Sequence, residues 1–393
     1  MAERRWTRAI AACCAALTLA SCTSSEPVDD PSVAPPSGAT PTSAPPSPPP
    51  TTVLASGEAL PDGCDGRRPT SKQVVTFVAD GRAWAIDVNG TRLVCLFETD
   101  DADPFAWGPQ GDRVALGGLE VRAVAREAPE LPGVGVEVGA FDWGHPLGLA
   151  VVFADGDAKV PQKRFMDDGR VARLPEMPRG TYLDVAYHPS GLALGVAIEQ
   201  KGEQSIWLTS NEGTDPERLI FSEGGTRFPS IAFTPDGSNL VWIAKHLNTY
   251  QVHWMDLTDR STFEDGWRGE LGEDATNLHV GPDGELMALD VGTSCDDRKA
   301  MAVLSPTLAK PALRRESRPT TTLGWLDRTT VLVGAGGCDE SMDISAVDVI
   351  DGSVTALVEG VELAASRAPA PPGPDEVPEP PQAAPPPPDE GVG

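Results

Sequence analysis

Six stretches of this chain are variants of one pattern: an apolar or aromatic anchor, a tight turn and a second apolar run. The clearest is IAFTPDGSNLVWIA, Ile231 to Ala244. The others are FAWGPQGDRVAL from Phe105, FDWGHPLGLAVVF from Phe141, VAYHPSGLALGVA from Val185, LHVGPDGELMALD from Leu278 and the degenerate LGWLDRTTVLVG from Leu323. Their anchors Trp107, Trp143, Tyr187, Phe233, Val280 and Trp325 lie 36, 44, 46, 47 and 45 residues apart. Short strands repeating at about 40–50 residues are the signature of a β-propeller. The residue at the turn's second position reads Gln110, Leu147, Ser190, Asp236 and Asp283 in the five copies that keep Pro-x-Gly. A catalytic or metal-binding carboxylate would not vary so among equivalent corners, so Asp236 reads as a turn residue.

Within each period the anchor strand enters the Pro/Gly turn and a second strand leaves it. A third follows, as in SIWLT at Ser205, and a fourth, as in ERLIF at Glu217. Asn89-Gly90 and Asp351-Gly352 each separate two alternating runs and predict hairpins. Helical periodicity is nearly absent, and 39 Pro with 40 Gly leave little room for long helices. The fold class is therefore all-β. Six anchored repeats make six blades. Ahead of them stand VVTFV, AWAIDV and TRLVCLF, three strands lacking an anchor strand, and behind them GVELAAS from Gly360 lacks partners. Pairing the C-terminal stretch with the N-terminal three would close a ring of seven and remove its open edge. Six blades is the alternative, if the weak repeat between Phe141 and Arg179 merges with a neighbour.

FTPDGSNLVW and VGPDGELMAL resemble the repeats of the TolB-like β-propeller family, over about Val74 to Val358. The resemblance implies the fold. A Pro-rich segment stands here where that family's namesake has an N-terminal α/β domain, so the namesake's partners do not carry over.

The N-terminus has Arg4, Arg5 and Arg8 followed by an apolar run from Ala9 to Ala20, the form of an export signal. It ends in Leu19-Ala20-Ser21-Cys22, which resembles a bacterial lipoprotein lipobox. That resemblance implies cleavage before Cys22, lipidation of its thiol and a membrane anchor on the extracytoplasmic face. Residues 1–21 are thus read as signal peptide and 22–63, rich in Pro, Ser and Thr, as a disordered tether. Residues 64–366 are read as the propeller and 367–393 as a disordered, Pro-rich, acidic tail. The bias to Ala, Gly, Pro and Arg is that of a high-GC, actinobacterial sequence.

The formal net charge is −27, and removing residues 1–21 (three Arg, one Glu, +2) leaves −29. Such a surface excludes nucleic acid as a partner and electrostatic adsorption to anionic lipid. Beyond Cys22 the mature chain keeps Cys64, Cys95, Cys295 and Cys338. In an exported protein these predict two disulfides, with three possible pairings. Cys295 and Cys338 occupy the same loop, between second and third strands, in successive repeats. That register pairs them and leaves Cys64 with Cys95. None has metal-type spacing, so no metal and no cofactor is predicted.

The residue before each anchor is Ala106, Asp142, Ala186, Ala232, His279 and Gly324. Small residues suit the crowded innermost strands, which makes Asp142 and His279 the candidates for a polar channel site. Asp296, Asp297, Asp339 and Glu340 follow the two loop cysteines and form a second candidate, an acidic cluster for Ca2+ or a basic partner, beside the plainer reading of a solvated rim. The other histidines, His145, His188, His246 and His253, read as turn or surface residues. No Gly-x-Ser-x-Gly elbow is present, and no catalytic residue is assigned. The expected function is a membrane-anchored scaffold binding an unspecified protein or small ligand. The alternative is a propeller enzyme, a lyase or hydrolase of extracellular glycan or peptide.

Overall fold

The computed structural model describes residues 52–64, 73–99, 106–108, 113–116, 120–124, 130–133, 138–145, 148–153, 162–165, 169–174, 176–222, 226–246, 249–263, 268–269, 275–292, 300–304, 312–315, 318–336 and 341–366. Among them there is no helix, and the strands form seven antiparallel sheets.

The fifth sheet shows how the repeat builds a sheet. Its strands Arg227–Phe233, Asn239–His246, Thr249–Asp256 and Thr262–Phe263 follow one another as a meander, with Arg268–Gly269 also pairing to the third. Ile231 faces Trp242 and Phe233 faces Leu240 across the first pair. Between them Gly237 takes φ 72°, which a turn needs and a side chain resists, and its N–H donates to Thr234 O at 2.8 Å. Asp236 Oδ1 accepts from Thr234 Oγ1 at 2.6 Å and from Ser238 N at 3.0 Å. Partial burial would raise this carboxyl, but those hydrogen bonds outweigh it and hold it below the ordinary range. Asp236 is a corner, as its variation among the copies predicts.

The same four-strand order recurs in the fourth sheet (Thr181–Tyr187, Ala193–Gln200, Glu203–Ser210, Glu217–Phe221). It recurs in the sixth (Ala275–Val280, Met287–Val291, Ala300–Leu304, Ala312–Arg315). The weak repeat has a sheet of its own, the third, with strands Val138–His145, Gly148–Phe153, Gln162–Phe165 and Val171–Arg173. The second sheet holds three described strands, Ala106–Trp107, Arg113–Ala115 and Val121–Ala123.

Successive sheets meet through the anchors. A Cβ on Gly195 of the fourth sheet would lie 3.1 Å from the ring of Phe233 in the fifth. One on Gly108 would lie 3.1 Å from the ring of Trp143. Trp325 Nε1 donates to His279 O of the sixth sheet at 3.1 Å, and Trp107 Nε1 to Thr76 Oγ1 of the first at 3.4 Å. The large aromatic therefore belongs to one sheet and fills a gap left by a small residue in the sheet before it.

Both ends of the folded region converge on the first and seventh sheets. The C-terminal strand Leu363–Ser366 pairs with Gln73–Ala79, which continues through Arg82–Asp87 to Val94–Glu98. The N-terminal strand Val53–Leu54 pairs with Val354–Val361, a fifth strand on the sheet of Thr320–Trp325, Thr330–Ala335 and Met342–Asp348. Leu54 and Leu60 are buried in one cluster with Phe77 and Trp84 of the first sheet and Ile344 and Val358 of the seventh. The expected tether boundary at residue 63 is thus too late, since Thr52 is already 2% exposed. The Pro, Ser and Thr run that reads as a linker ends at Thr52, and beyond it Leu54 and Leu60 fall where they can be buried. Cys64 is joined to Cys95 with Cα atoms 4.9 Å apart. Cys22, Cys295 and Cys338, and residues 1–51 and 367–393, lie outside the described residues.

Candidate functional site

In the second to the seventh sheets the first, anchor-bearing strand has, among the described residues, a hydrogen-bonded neighbour on one side only, which leaves backbone donors on its free side to be satisfied. The chain meets this demand with side chains that reach from one sheet's first strand to the next. Asp142 Oδ2 accepts from Tyr187 N at 2.6 Å. Asp184 Oδ2 accepts from Ile231 N at 2.9 Å, and its Oδ1 from Val185 N at 2.9 Å. Ser230 Oγ accepts from Leu278 N at 3.3 Å. Asn277 Nδ2 donates to Thr322 O at 2.7 Å. The third to the seventh sheets are stapled pairwise in this way.

Asp142 and Asp184 keep a little solvent contact but are surrounded by protein. Burial lifts Asp142 to about 6 against the two backbone N–H groups of Tyr187 and Trp143. It lifts Asp184 to about 7, with the Asp142 charge adding to the rise. The two therefore titrate as an interacting pair near neutrality. A carboxyl raised on folding contributes stability fully present below its unfolded value near 4, and loses it as pH rises through 6 to 7. Wild type should accordingly lose about 2–3 kcal/mol relative to Asp184→Asn between pH 5 and pH 8. Urea unfolding of both proteins across that range checks it. A stability difference that stays flat with pH would show that Asp184 is charged throughout.

His279 belongs to a different cluster, at the junction of the sixth and seventh sheets. Its Nε2 lies 3.0 Å from Asn277 Oδ1. Asn277, at φ 56°, points its amide at Asp290 Oδ2 (3.0 Å) as well as at Thr322 O. Asp290 is fully buried and also accepts from Thr321 Oγ1 at 2.8 Å and Thr322 N at 2.7 Å. Burial pushes His279 below its ordinary value, and the Asp290 charge works against that push. The imidazole is neutral at neutral pH and is spent on a structural network.

Asp142 and His279 hydrogen-bond to different partners, Tyr187 N and Asn277 Oδ1. Asp142 finds Asp184, and His279 finds Asn277 and Asp290. Those three partners were missed. A signal existed for two of them, since the residues three before the last four anchors are Asp184, Ser230, Asn277 and Thr322, all polar. Asp290 sits in the apolar run MALDV and has no such periodicity. His188 is not a plain surface residue, because its Nε2 lies 3.0 Å from Gly237 O of the next sheet's turn. His253 stacks on Trp242, with centroids 5.4 Å apart. Asp296, Asp297, Asp339 and Glu340 lie outside the described residues. Among the described residues no three His, Cys, Asp or Glu are grouped to hold a metal ion.

A surface cleft of about 550 Å³ lies beside the first and second sheets, with Arg82, Arg122, Asp80, Glu98 and Glu120 on its walls. Its guanidiniums are already engaged, Arg122 with Glu120 at 2.6 Å and Arg82 with Asp62 O at 2.8 Å. The cleft is polar and open, without the apolar enclosure typical of small-molecule sites.

No family model matches the chain, and no curated protein matches it. Among solved structures it is similar to TolB from Acinetobacter baumannii, at 12% identity over 76% of this chain and 68% of that one, with a TM-score of 0.47. It is also similar to a chain of the nidogen/laminin complex, at 9% identity over 74% of this chain and 98% of that one, with a TM-score of 0.46.

Proposed function

We propose that the seven sheets are the blades of a seven-bladed propeller, and that the protein is a lipid-anchored, extracytoplasmic binding scaffold. The observation that carries this reading is where the polar groups of the first strands go. Asp142, Asp184, Ser230 and Asn277 each spend hydrogen bonds on the neighbouring sheet. A ring stapled in this way is a rigid frame, and what it leaves for recognition is its loops. The pairing of Leu363–Ser366 with the first sheet supports closure of that ring by the C-terminal strand.

Anchoring rests on Leu19-Ala20-Ser21-Cys22. Cys22→Ala should move the protein from the membrane pellet to the soluble fraction and abolish incorporation of labelled acyl chains. An unchanged pellet would defeat the lipoprotein reading. For the scaffold, cross-linking in native envelopes followed by pull-down should recover one stoichiometric protein partner. For the competing enzyme, the Asp142–Asp184 pair is the candidate to supply acid and base near neutral pH. Turnover of a cell-wall fragment with no partner recovered, lost in Asp184→Asn, would favour that reading.

A further inference from the structure

We propose that the Cys64–Cys95 disulfide is a releasable clasp, and that its reduction frees the segment Thr52–Cys64 from the junction of the first and seventh sheets. This segment lies across that junction as a strap. Its upstream end pairs Val53 with Glu359 and Leu54 with Val358, and Ala55 N donates to Leu357 O at 2.9 Å. Thr52 Oγ1 donates to Gly360 O at 2.9 Å. Its downstream end is held to the first sheet by Arg82 Nη2 on Asp62 O and by the disulfide.

Without the covalent bond the strap is weakly held. Ala55 to Pro61 are exposed apart from the buried Leu60, and Asp62, Gly63 and Cys64 are exposed too. Two buried leucines and a two-residue strand must then offset the entropy of ordering thirteen residues. The clasp shifts that balance by removing chain freedom, in a loop with a sequence separation of 31.

The disulfide is also asymmetric in a way that directs its chemistry. Cys64 is exposed, whereas Cys95 is 3% exposed, in the strand Val94–Glu98. A thiolate attacks the sulfur it can reach. Attack at Cys64 Sγ forms a mixed disulfide there and breaks the bond to Cys95, which leaves as a thiolate and takes a proton from solvent. A second thiol then attacks the mixed disulfide, frees Cys64 as a thiol and is released joined to the first as an oxidised disulfide. Two thiols are oxidised and one protein disulfide is reduced. The strap's departure exposes the edge of Val354–Val361 at Leu357 to Glu359, a row of backbone groups on which another extended chain can pair.

The test uses the mature chain carrying Cys295→Ser and Cys338→Ser, so that no other pair responds. After a dithiol has made both Cys64 and Cys95 alkylatable, amide exchange should accelerate about 100-fold at Leu54, Ala55 and residues 357–359. Residues 196–198 and 241–243, in the fourth and fifth sheets, should exchange as before. Cys64→Ser should reproduce this pattern without reductant, and if it fails to fold the reduced protein alone decides. Retention of strap protection after full reduction overturns the proposal. So does loss spread equally over all sheets. With glutathione as a monothiol probe the adduct should map to Cys64, and an adduct on Cys95 in its place would also overturn it.

Discussion

Removal of the last structured strand, by truncation after Glu362, should leave a chain that no longer unfolds cooperatively and that aggregates on expression. Truncation after Ser366, which takes away only residues 367–393, should change stability by no more than about 0.5 kcal/mol. The contrast arises because, among the described residues, Leu363–Ser366 is the partner on one side of Gln73–Ala79, pairing Leu363 with Val78, Ala364 with Phe77, Ala365 with Thr76 and Ser366 with Val75. Val75, Phe77 and Val78 are fully buried and Thr76 is 1% exposed, so the loss opens a long, flat, apolar edge. Such an edge is a template for pairing between chains.

The energetic scale supports an all-or-none outcome. Lost backbone pairing at about 1 kcal/mol net per hydrogen bond, with renewed exposure of Val75 and Phe77, amounts to at least about 5 kcal/mol. That equals the whole stability of many domains. In the proposed ring the effect is compounded, because the first sheet also holds the strap through Cys95 and Arg82. Urea unfolding followed by far-ultraviolet circular dichroism distinguishes the cases. A protein ending at Glu362 that melts within a few degrees of full length would mean that this strand is dispensable, and would count against closure at this seam.

What could be read from the chain alone divides along a physical line. The turn chemistry and the alternation of apolar residues are local, and they located the strands of the fourth, fifth and sixth sheets with their corners. Side-chain partners across sheets are not local. Asp142 drew notice by breaking a row of small residues, yet its working neighbour Asp184 stands one repeat on and two positions out of that row. Reading position minus three from the anchor instead of minus one aligns Asp184, Ser230 and Asn277, because a bulge between Tyr182 and Asp184, and others at the matching places, re-aim these side chains. The strap escapes a sequence reading for a different reason: it follows the Pro, Ser and Thr run without a break, and the partners that bury Leu54 and Leu60, among them Phe77, Trp84, Ile344 and Val358, are distant in the chain.

Asp290 is where the largest loss from a single side chain is expected. Its carboxylate is wholly buried and accepts from Thr322 N, Thr321 Oγ1 and Asn277 Nδ2, joining the sixth sheet's second strand to first strands of the sixth and seventh. Asp290→Ala removes every one of those acceptors from a site that water does not reach. Thr321 can turn its hydroxyl, and Asn277 keeps Thr322 O, but the Thr322 N–H has no alternative among these groups. At about 1–3 kcal/mol for each stranded donor, the cost should be about 3–5 kcal/mol. Asp290→Asn keeps one oxygen for Thr322 N but turns an NH2 toward Asn277 Nδ2, so it should lose roughly half as much. It also removes the charge that opposes the effect of burial on His279, so the imidazole should titrate still lower than in wild type. Equilibrium unfolding gives the first two quantities, and imidazole proton shifts across the acid range give the third. Should Asp290→Ala cost under about 1 kcal/mol, or Asn cost as much as Ala, the network would not be the junction that its geometry describes.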